Sequence, residues 1–316
     1  MIKRLIVCVM LIAAYACAPQ PAAQGPAAQS PEAQAAPPEP ATSPVVTKRP
    51  AMTGEGRGPV LQGIVERGTL RVGTSGAQAP FTMQDRQGKL MGLDIDLANA
   101  LGRVLELKVE FVTLPFGELL PAVESGKVDL ALSSITMTLH RNLDVAFVGP
   151  YFVSGKALLT KDETLSKIRK TVDLNKPQVR LAALKGSTSE RLISSGAPKA
   201  TLSLFDTYEE GVKAVADGKV HALLADLPLV AVTLARFPNA GFAGVGDPLS
   251  FEPLGVAVPA YDAHFQNLVS NFLNLLEGSG TLKALRARWF AKTDWLEQLP
   301  PSSFGAPLDP SAQDGL

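Results

Sequence analysis

Apolar and polar positions change rhythm repeatedly along the middle of the chain. TLRVGT (69–74) reads as a strand, and LDIDLANALGRVL (93–105) carries apolar residues at helical spacing. LKVEFVT (107–113) alternates with period two, FGELLPAVESG (116–126) is helical again, and VDLALSS (128–134) is an apolar strand. Asp94 stands where a helix N-cap is expected. A second series follows the same order. It runs VRLAAL (179–184), STSERLIS (187–194), TLSLFD (201–206), TYEEGVKAVADG (207–218) and HALLAD (221–226), then the helix LPLVAVTLARF (227–237). Two β-α-β-α-β series predict an α/β chain with two similar lobes, each a parallel sheet covered by helices on both faces.

The two series share a phrase. VESGKVDLALSS (123–134) and VADGKVHALLAD (215–226) have Val, Gly-Lys-Val and Leu at matching places and lie 92 positions apart. Gly-Lys-Val serves as a convenient helix-to-strand turn, with Gly at the helix end. That accounts for the Gly but not for the different last residues, Ser134 and Asp226. Ligands of such sheets gather at the carboxyl ends of strands. Each lobe is therefore expected to offer the same strand end to a common cleft, one neutral and one anionic.

Composition changes the picture mainly at the two ends. Lys3 and Arg4 precede the 12-residue apolar run Leu5–Ala16, which is too short for a span of about 20 residues and fits a secretory signal, residues 1–16. Ala14-Tyr15-Ala16-Cys17 looks like a bacterial lipobox, although Leu is more usual at the first position and a small residue at the second. Cys8 would leave with the signal, so Cys17 would be the one remaining thiol, better explained as a lipid anchor than as a redox or metal group. Ordinary signal-peptidase cleavage is the alternative. Ala18–Pro59 holds ten Pro and ten Ala among 42 residues. Residues 17–59 read as a tether averaging about 35 Å and reaching about 130 Å at most. Residues 299–316 read as a second disordered tail. The 30 basic and 30 acidic residues balance, so no overall field favours nucleic acid. His140, His221 and His264 fall on separate elements, without metal-ligand spacing.

Between the tether and the tail, three stretches stand out: GTLRVGTSGAQAPFTMQDRQGKLMGLDIDLANAL, FGELLPAVESGKVDLALSSITMTLHR and FVGPYF. With the closing LRARWF (285–290) they resemble the family 3 extracellular solute-binding proteins, the amino-acid-binding components of bacterial ABC importers. The likeness runs from about Gly68 to Phe290 and implies the two-lobed type II periplasmic-binding-protein fold, two parallel or mixed sheets with helices on both faces, joined by two hinge strands. By that correspondence, lobe 1 comprises residues 60–152 and 253–298. Lobe 2, with the hinge strands, comprises 153–252. The chain leaves lobe 1 near Tyr151–Gly155 and returns near Ser250–Leu254. Two crossing strands permit closure around a ligand.

The resemblance also assigns roles. Arg141 corresponds to the arginine that grips a ligand α-carboxylate, a task suited to a planar, permanently charged fork. Ser134 and Thr136 match the carboxylate cradle. Gly186-Ser187-Thr188-Ser189 opens a helix whose free N–H groups suit an anion, with Ser187 and Thr188 as contacts; either hydroxyl would also serve as a plain helix cap. Asp226 matches the acid that pairs with the ligand ammonium. Asp before Leu-Pro is also a common helix start, and the two roles can coexist. Phe116 matches an aromatic over the ligand, whereas Phe81 belongs with the core. Gln78 and Leu184 stand where relatives read the ligand side chain, and relatives often carry an aromatic in place of Gln78. FVGPY replaces a commoner Phe-Ser-Asp-Pro-Tyr.

The expected function is thus an exported, lipid-anchored binding protein, periplasmic or at the cell surface. It closes on an amino acid and delivers it to a membrane permease without catalysis, cofactor or metal. No Gly-Lys-Ser/Thr phosphate loop occurs in the sequence, so the ATPase would be a separate subunit. One alternative is a dehydratase of the cyclohexadienyl or arogenate type on the same fold, with Glu190 offered as proton donor. Another is a ligand-sensing module.

Overall fold

A computed structural model describes residues 58–244 and 248–302 of the chain. The expected signal peptide, Cys17, and all but the last two residues of the tether lie outside them, as do residues 303–316 of the tail.

Lobe 1 begins with α1 (Pro59–Arg67) and β1 (Thr69–Thr74), followed by a small sheet of β2 (Ala77–Gln78), β3 (Thr82–Gln84) and β4 (Leu90–Met91). It continues through α2 (Leu93–Leu105), β5 (Lys108–Thr113), α3 (Leu119–Glu124), β6 (Leu130–Ala131) and β7 (Val145–Ser154). Lobe 2 contains β8 (Lys156–Thr160), β9 (Arg180–Leu184), α4 (Thr188–Gly196), β10 (Thr201–Phe205), α5 (Tyr208–Ala216), β11 (Ala222–Asp226), α6 (Leu227–Arg236) and β12 (Ala243–Gly244). The chain returns through β13 (Glu252–Pro259) and ends in α7 (Ala263–Gly278) and α8 (Thr281–Phe290). The main sheets have the orders β5-β1-β6-β13-β7 and β10-β9-β11-β8-β12. Each has three parallel strands extended by antiparallel neighbours. The repeated β-α-β-α-β series is thus the parallel half of each sheet.

Two strands carry the chain between the sheets. Ser154 at the end of β7 pairs with Glu252 at the start of β13. The Leu249 N–H donates to the Lys156 carbonyl at 2.7 Å, and the Lys156 N–H to Ser250 Oγ at 3.2 Å. Gly155 lies between them because a Cβ there would stand 2.4 Å from the Ser250 carbonyl oxygen.

The lobe 1 core centres on an aromatic triplet. Phe152 stacks on Phe290 at 4.4 Å between centroids, and the edge of Phe81 meets both at 5.2 and 5.3 Å. This contact ties the C-terminal helix α8 to the strand that leads into the hinge. Leu229, Ala231 and Val232 of α6 join the same cluster, so that helix packs across the lobe boundary.

Several local expectations change. The helix containing Asp94 starts at Leu93 behind Gly92, and no side chain caps it. The apolar run 128–134 forms regular strand only at Leu130–Ala131, because the backbone then turns and Ser134 takes φ 45°. Pro59, placed at the end of the tether, is the first residue of α1. The Val60 and Leu61 N–H groups of that helix donate to Asp262 Oδ2, and its Leu61 and Ile64 are buried. Leu299, placed at the start of the tail, is also buried. Arg236 of lobe 2 donates to the Pro300 carbonyl at 2.7 Å.

Candidate ligand-binding cleft

A narrow cleft lies between the lobes and is lined by Gln78, Phe116, Ser134, Thr136, Leu184, Ser187, Thr188 and Asp226. Those are the residues singled out from the sequence, with one exception, Arg141. The lining also includes Ser189, the last residue of the expected Gly186–Ser189 turn, and Lys156, Tyr208, Leu224, Ala225 and Leu229, which sequence reasoning missed.

Ser134 follows β6 and forms the lobe 1 floor. Its N–H donates to Asp94 Oδ2 at 2.7 Å, and its hydroxyl donates to Gln78 Oε1. Asp94 is fully buried, so its place in the chemistry is a core anchor for this turn and not a helix cap. Burial pushes its carboxyl up to about 7, against the opposing effects of the Ser134 N–H and the neighbouring Tyr151 hydroxyl. The Tyr151 hydroxyl lies beside the carboxyl, although no hydrogen bond of ordinary geometry joins them.

Arg141 sits at the rim and bridges the lobes. Its Nη1 donates to the Thr136 carbonyl and its Nη2 to the Gly186 carbonyl, both at 2.9 Å, while its guanidinium lies 5.8 Å from the centre of the Phe116 ring. Burial lowers its pKa to about 10, and the charges of Glu252 and Asp226 oppose that fall, so it remains a cation at neutral pH. The lobes meet closely here. Gly186 has φ 76°, and a Cβ on it would stand 2.7 Å from the Gly117 Cα in the opposite lobe.

The Gly186–Ser189 turn is held by its own helix. Ser187 Oγ accepts the Glu190 N–H at 3.3 Å, and Glu190 Oε2 accepts the Gly186 N–H at 2.6 Å. Glu190 does not line the cleft. Thr188 Oγ1 lies 3.4 Å from Thr136 Oγ1 across the lobes and donates to Glu252 Oε2 at 2.9 Å.

Asp226 ends β11 at the N-cap position of α6 but makes no side-chain cap. Its Oδ1 accepts from Lys156 Nζ at 2.7 Å. No donor among the described residues reaches Oδ2. Lys156 opens β8 with a side chain 3% exposed, and its Nζ also lies 3.7 Å from Glu252 Oε2. Burial raises the Asp226 pKa even with Lys156 working against it. Burial acts in the same sense on Glu252, but Lys156 and the hydroxyls of Ser250 and Thr188 outweigh it and lower that pKa. The free carboxylate expected from the sequence is therefore an ion pair with one oxygen left over. Tyr208 adds a buried hydroxyl beside that of Thr233, although no hydrogen bond of ordinary geometry joins them.

The model of the bacterial extracellular solute-binding proteins, family 3, matches residues 70–292. The L-cystine-binding protein TcyJ of Escherichia coli (strain K12) is 26% identical over 231 residues, covering 73% of this chain and 86% of TcyJ. The cyclohexadienyl dehydratase of Pseudomonas aeruginosa is 25% identical over 229 residues, covering 72% and 85%. Among solved structures, an ancestral arginine-binding protein bound to arginine is 34% identical with a TM-score of 0.67, covering 71% of this chain and 99% of that one. Among the described residues no helix is long and apolar enough to cross a membrane.

Proposed function

The chain belongs to the bacterial extracellular solute-binding proteins, family 3, and we propose that it is the extracytoplasmic substrate-binding component of an ABC importer for an amino acid. The observation that carries this reading is opposite charge on opposite lobes of one cleft: Arg141 at the lobe 1 rim and Asp226 at the end of a lobe 2 strand. An α-carboxylate takes donors of Arg141, which spends only two of its five N–H groups on Thr136 and Gly186. The Ser134–Thr136 turn and the hydroxyls at the start of α4 complete that cradle. The α-ammonium takes Asp226 Oδ2. Phe116 covers the ligand, and Gln78 and Leu184 face its side chain. Closure about Gly155 and the β13 start buries the ligand, and differential affinity favours the closed form.

Cys17 anchors the protein by a lipid, the Pro/Ala-rich segment tethers it, and a membrane permease with its own ATPase receives the ligand. Binding without catalysis is favoured over the dehydratase reading by the state of the acids. Glu190 is spent on its own helix start, and Asp226 is held by Lys156. Glu190 does not line the cleft, and Asp226 is not an unpaired acid there.

The test is thermal melting of the full chain, unfolded and refolded to strip carried-over ligand, against the twenty amino acids. A ligand at 100 times its Kd adds about 2.7 kcal/mol. At least one amino acid is expected to raise the midpoint by several degrees. No response to any of them, with conversion of prephenate or arogenate to an aromatic product, would replace this reading with the enzymatic one.

A further inference from the structure

The charges at the cleft nearly cancel within the protein itself. Among the described residues its lining contains one carboxylate, Asp226, and one ammonium, Lys156, and they are bonded to each other at 2.7 Å. The second acid nearby, Glu252, faces the same ammonium at 3.7 Å and accepts hydroxyls from Thr188 and Ser250. A ligand that brings an α-ammonium meets the remaining oxygen of Asp226. Among the described residues, a second positive charge on that ligand finds no unpaired carboxylate in the lining, which also carries a buried ammonium. The groups left to face a side chain, including Gln78, Leu184 and Tyr208, are uncharged.

From this arrangement we propose that Lys156, held on Asp226 and facing Glu252 from the hinge strand, determines specificity by leaving a second ligand cation no free carboxylate and a like charge nearby. The cleft thereby takes amino acids with uncharged side chains and rejects lysine and arginine. The inference rests on the amino-acid reading and narrows it. A side-chain cation brought within about 6 Å of the Lys156 ammonium, at an effective dielectric constant of about 20, would be repelled enough to lower affinity on the order of 100-fold. Replacing Lys156 by a neutral residue leaves Asp226 and Glu252 short of a cation and also vacates the volume of its side chain. Both changes favour a cationic ligand.

The experiment is calorimetric titration of the refolded full chain, wild type and Lys156→Met, with the twenty amino acids plus citrulline and norleucine, neutral counterparts in shape of arginine and lysine. In the wild type, lysine and arginine are expected to bind about 100-fold or more weaker than the best uncharged amino acid. In Lys156→Met at least one of them comes within about tenfold. Lys156→Gln gives the same comparison if the Met variant does not fold, and Lys156→Arg, which keeps the charge, retains the wild-type order. A cationic amino acid among the wild type's tightest ligands, or an unchanged gap in both neutral variants, overturns the proposal and leaves the amino-acid reading standing. A wild type that binds no amino acid of any charge overturns both.

Discussion

Gly186→Ala separates closure of the cleft from the integrity of the fold. In the structure a Cβ at this position would stand 2.7 Å from the Gly117 Cα of the other lobe, whereas carbon atoms in favourable contact lie about 3.5–4.0 Å apart. The lobes would have to part by about 1 Å. That movement stretches the Arg141 Nη2 hydrogen bond to the Gly186 carbonyl, now 2.9 Å, beyond useful range. A hydrogen bond to a charged group contributes about 1.5–3 kcal/mol, so the expected loss of affinity is roughly ten- to a hundredfold. The left-handed backbone at φ 76° adds a separate cost of about 1–2 kcal/mol in both open and closed forms. It lowers the ligand-free melting point by a few degrees. Gly117→Ala is the control, because a Cβ there meets the Lys185 carbonyl oxygen at 3.6 Å and the Gly186 Cα at 3.8 Å, which is ordinary contact. Calorimetry gives the affinities and thermal melting the stabilities. Wild-type affinity in Gly186→Ala, or equal losses in both variants, would refute the idea that this contact belongs to the ligand-bearing state.

Two further outcomes follow from buried groups. Burial raises the Asp94 carboxyl to about 7, above its ordinary value of 3.8, so the folded chain holds this proton more tightly than the unfolded chain does. The associated stability is fully present below about pH 4 and is lost as pH rises through 7, a fall of up to about 4 kcal/mol. Asp94→Asn retains an acceptor for the Ser134 N–H and should remove that part of the slope; urea midpoints from pH 4 to 8 that run parallel in both proteins would contradict it. Phe290→Ala removes the stacking partner of Phe152 and should cost about 3–5 kcal/mol by urea unfolding. A cost below about 1 kcal/mol would mean that α8 is not part of the lobe 1 core.

The architecture was legible because the pattern was written twice. Helical and alternating runs placed the parallel strands, and the repeated Gly-Lys-Val phrase brought Ser134 and Asp226 to one cleft. Side-chain partners were less legible. Lys156 follows a glycine and precedes Ala-Leu-Leu, and a lone lysine at a strand end ordinarily reads as a solvated charge; only the antiparallel pairing of β8 with β11 sets it opposite Asp226. The signal available was a basic residue opening the apolar stretch KALLT (156–160), with no other charge through Thr160. Asp94 occupied a plausible cap position in one dimension, but the fold turns it inward to a loop 40 positions away. Leu299 and Pro300 lie in a stretch of tail-like composition. Their contacts depend on Arg86 and Arg236, more than 60 positions distant in each case, which no local pattern reveals.

The central claim is that the cleft holds both ends of a zwitterion. The most direct measurement is titration of the refolded chain with its best amino acid, with the analogue lacking the α-amine and with the analogue lacking the α-carboxylate, repeated for Arg141→Ala and Asp226→Asn. Breaking one partner of a buried charged contact costs about 3–5 kcal/mol, or roughly two to four decades in Kd. Each analogue should therefore bind wild type at least 100-fold more weakly than the intact amino acid. Arg141→Ala should lose its preference for the carboxylate, and Asp226→Asn its preference for the amine. An amine-free carboxylate that binds wild type as tightly as the amino acid would contradict the account, because Lys156 would then be the only cation Asp226 serves.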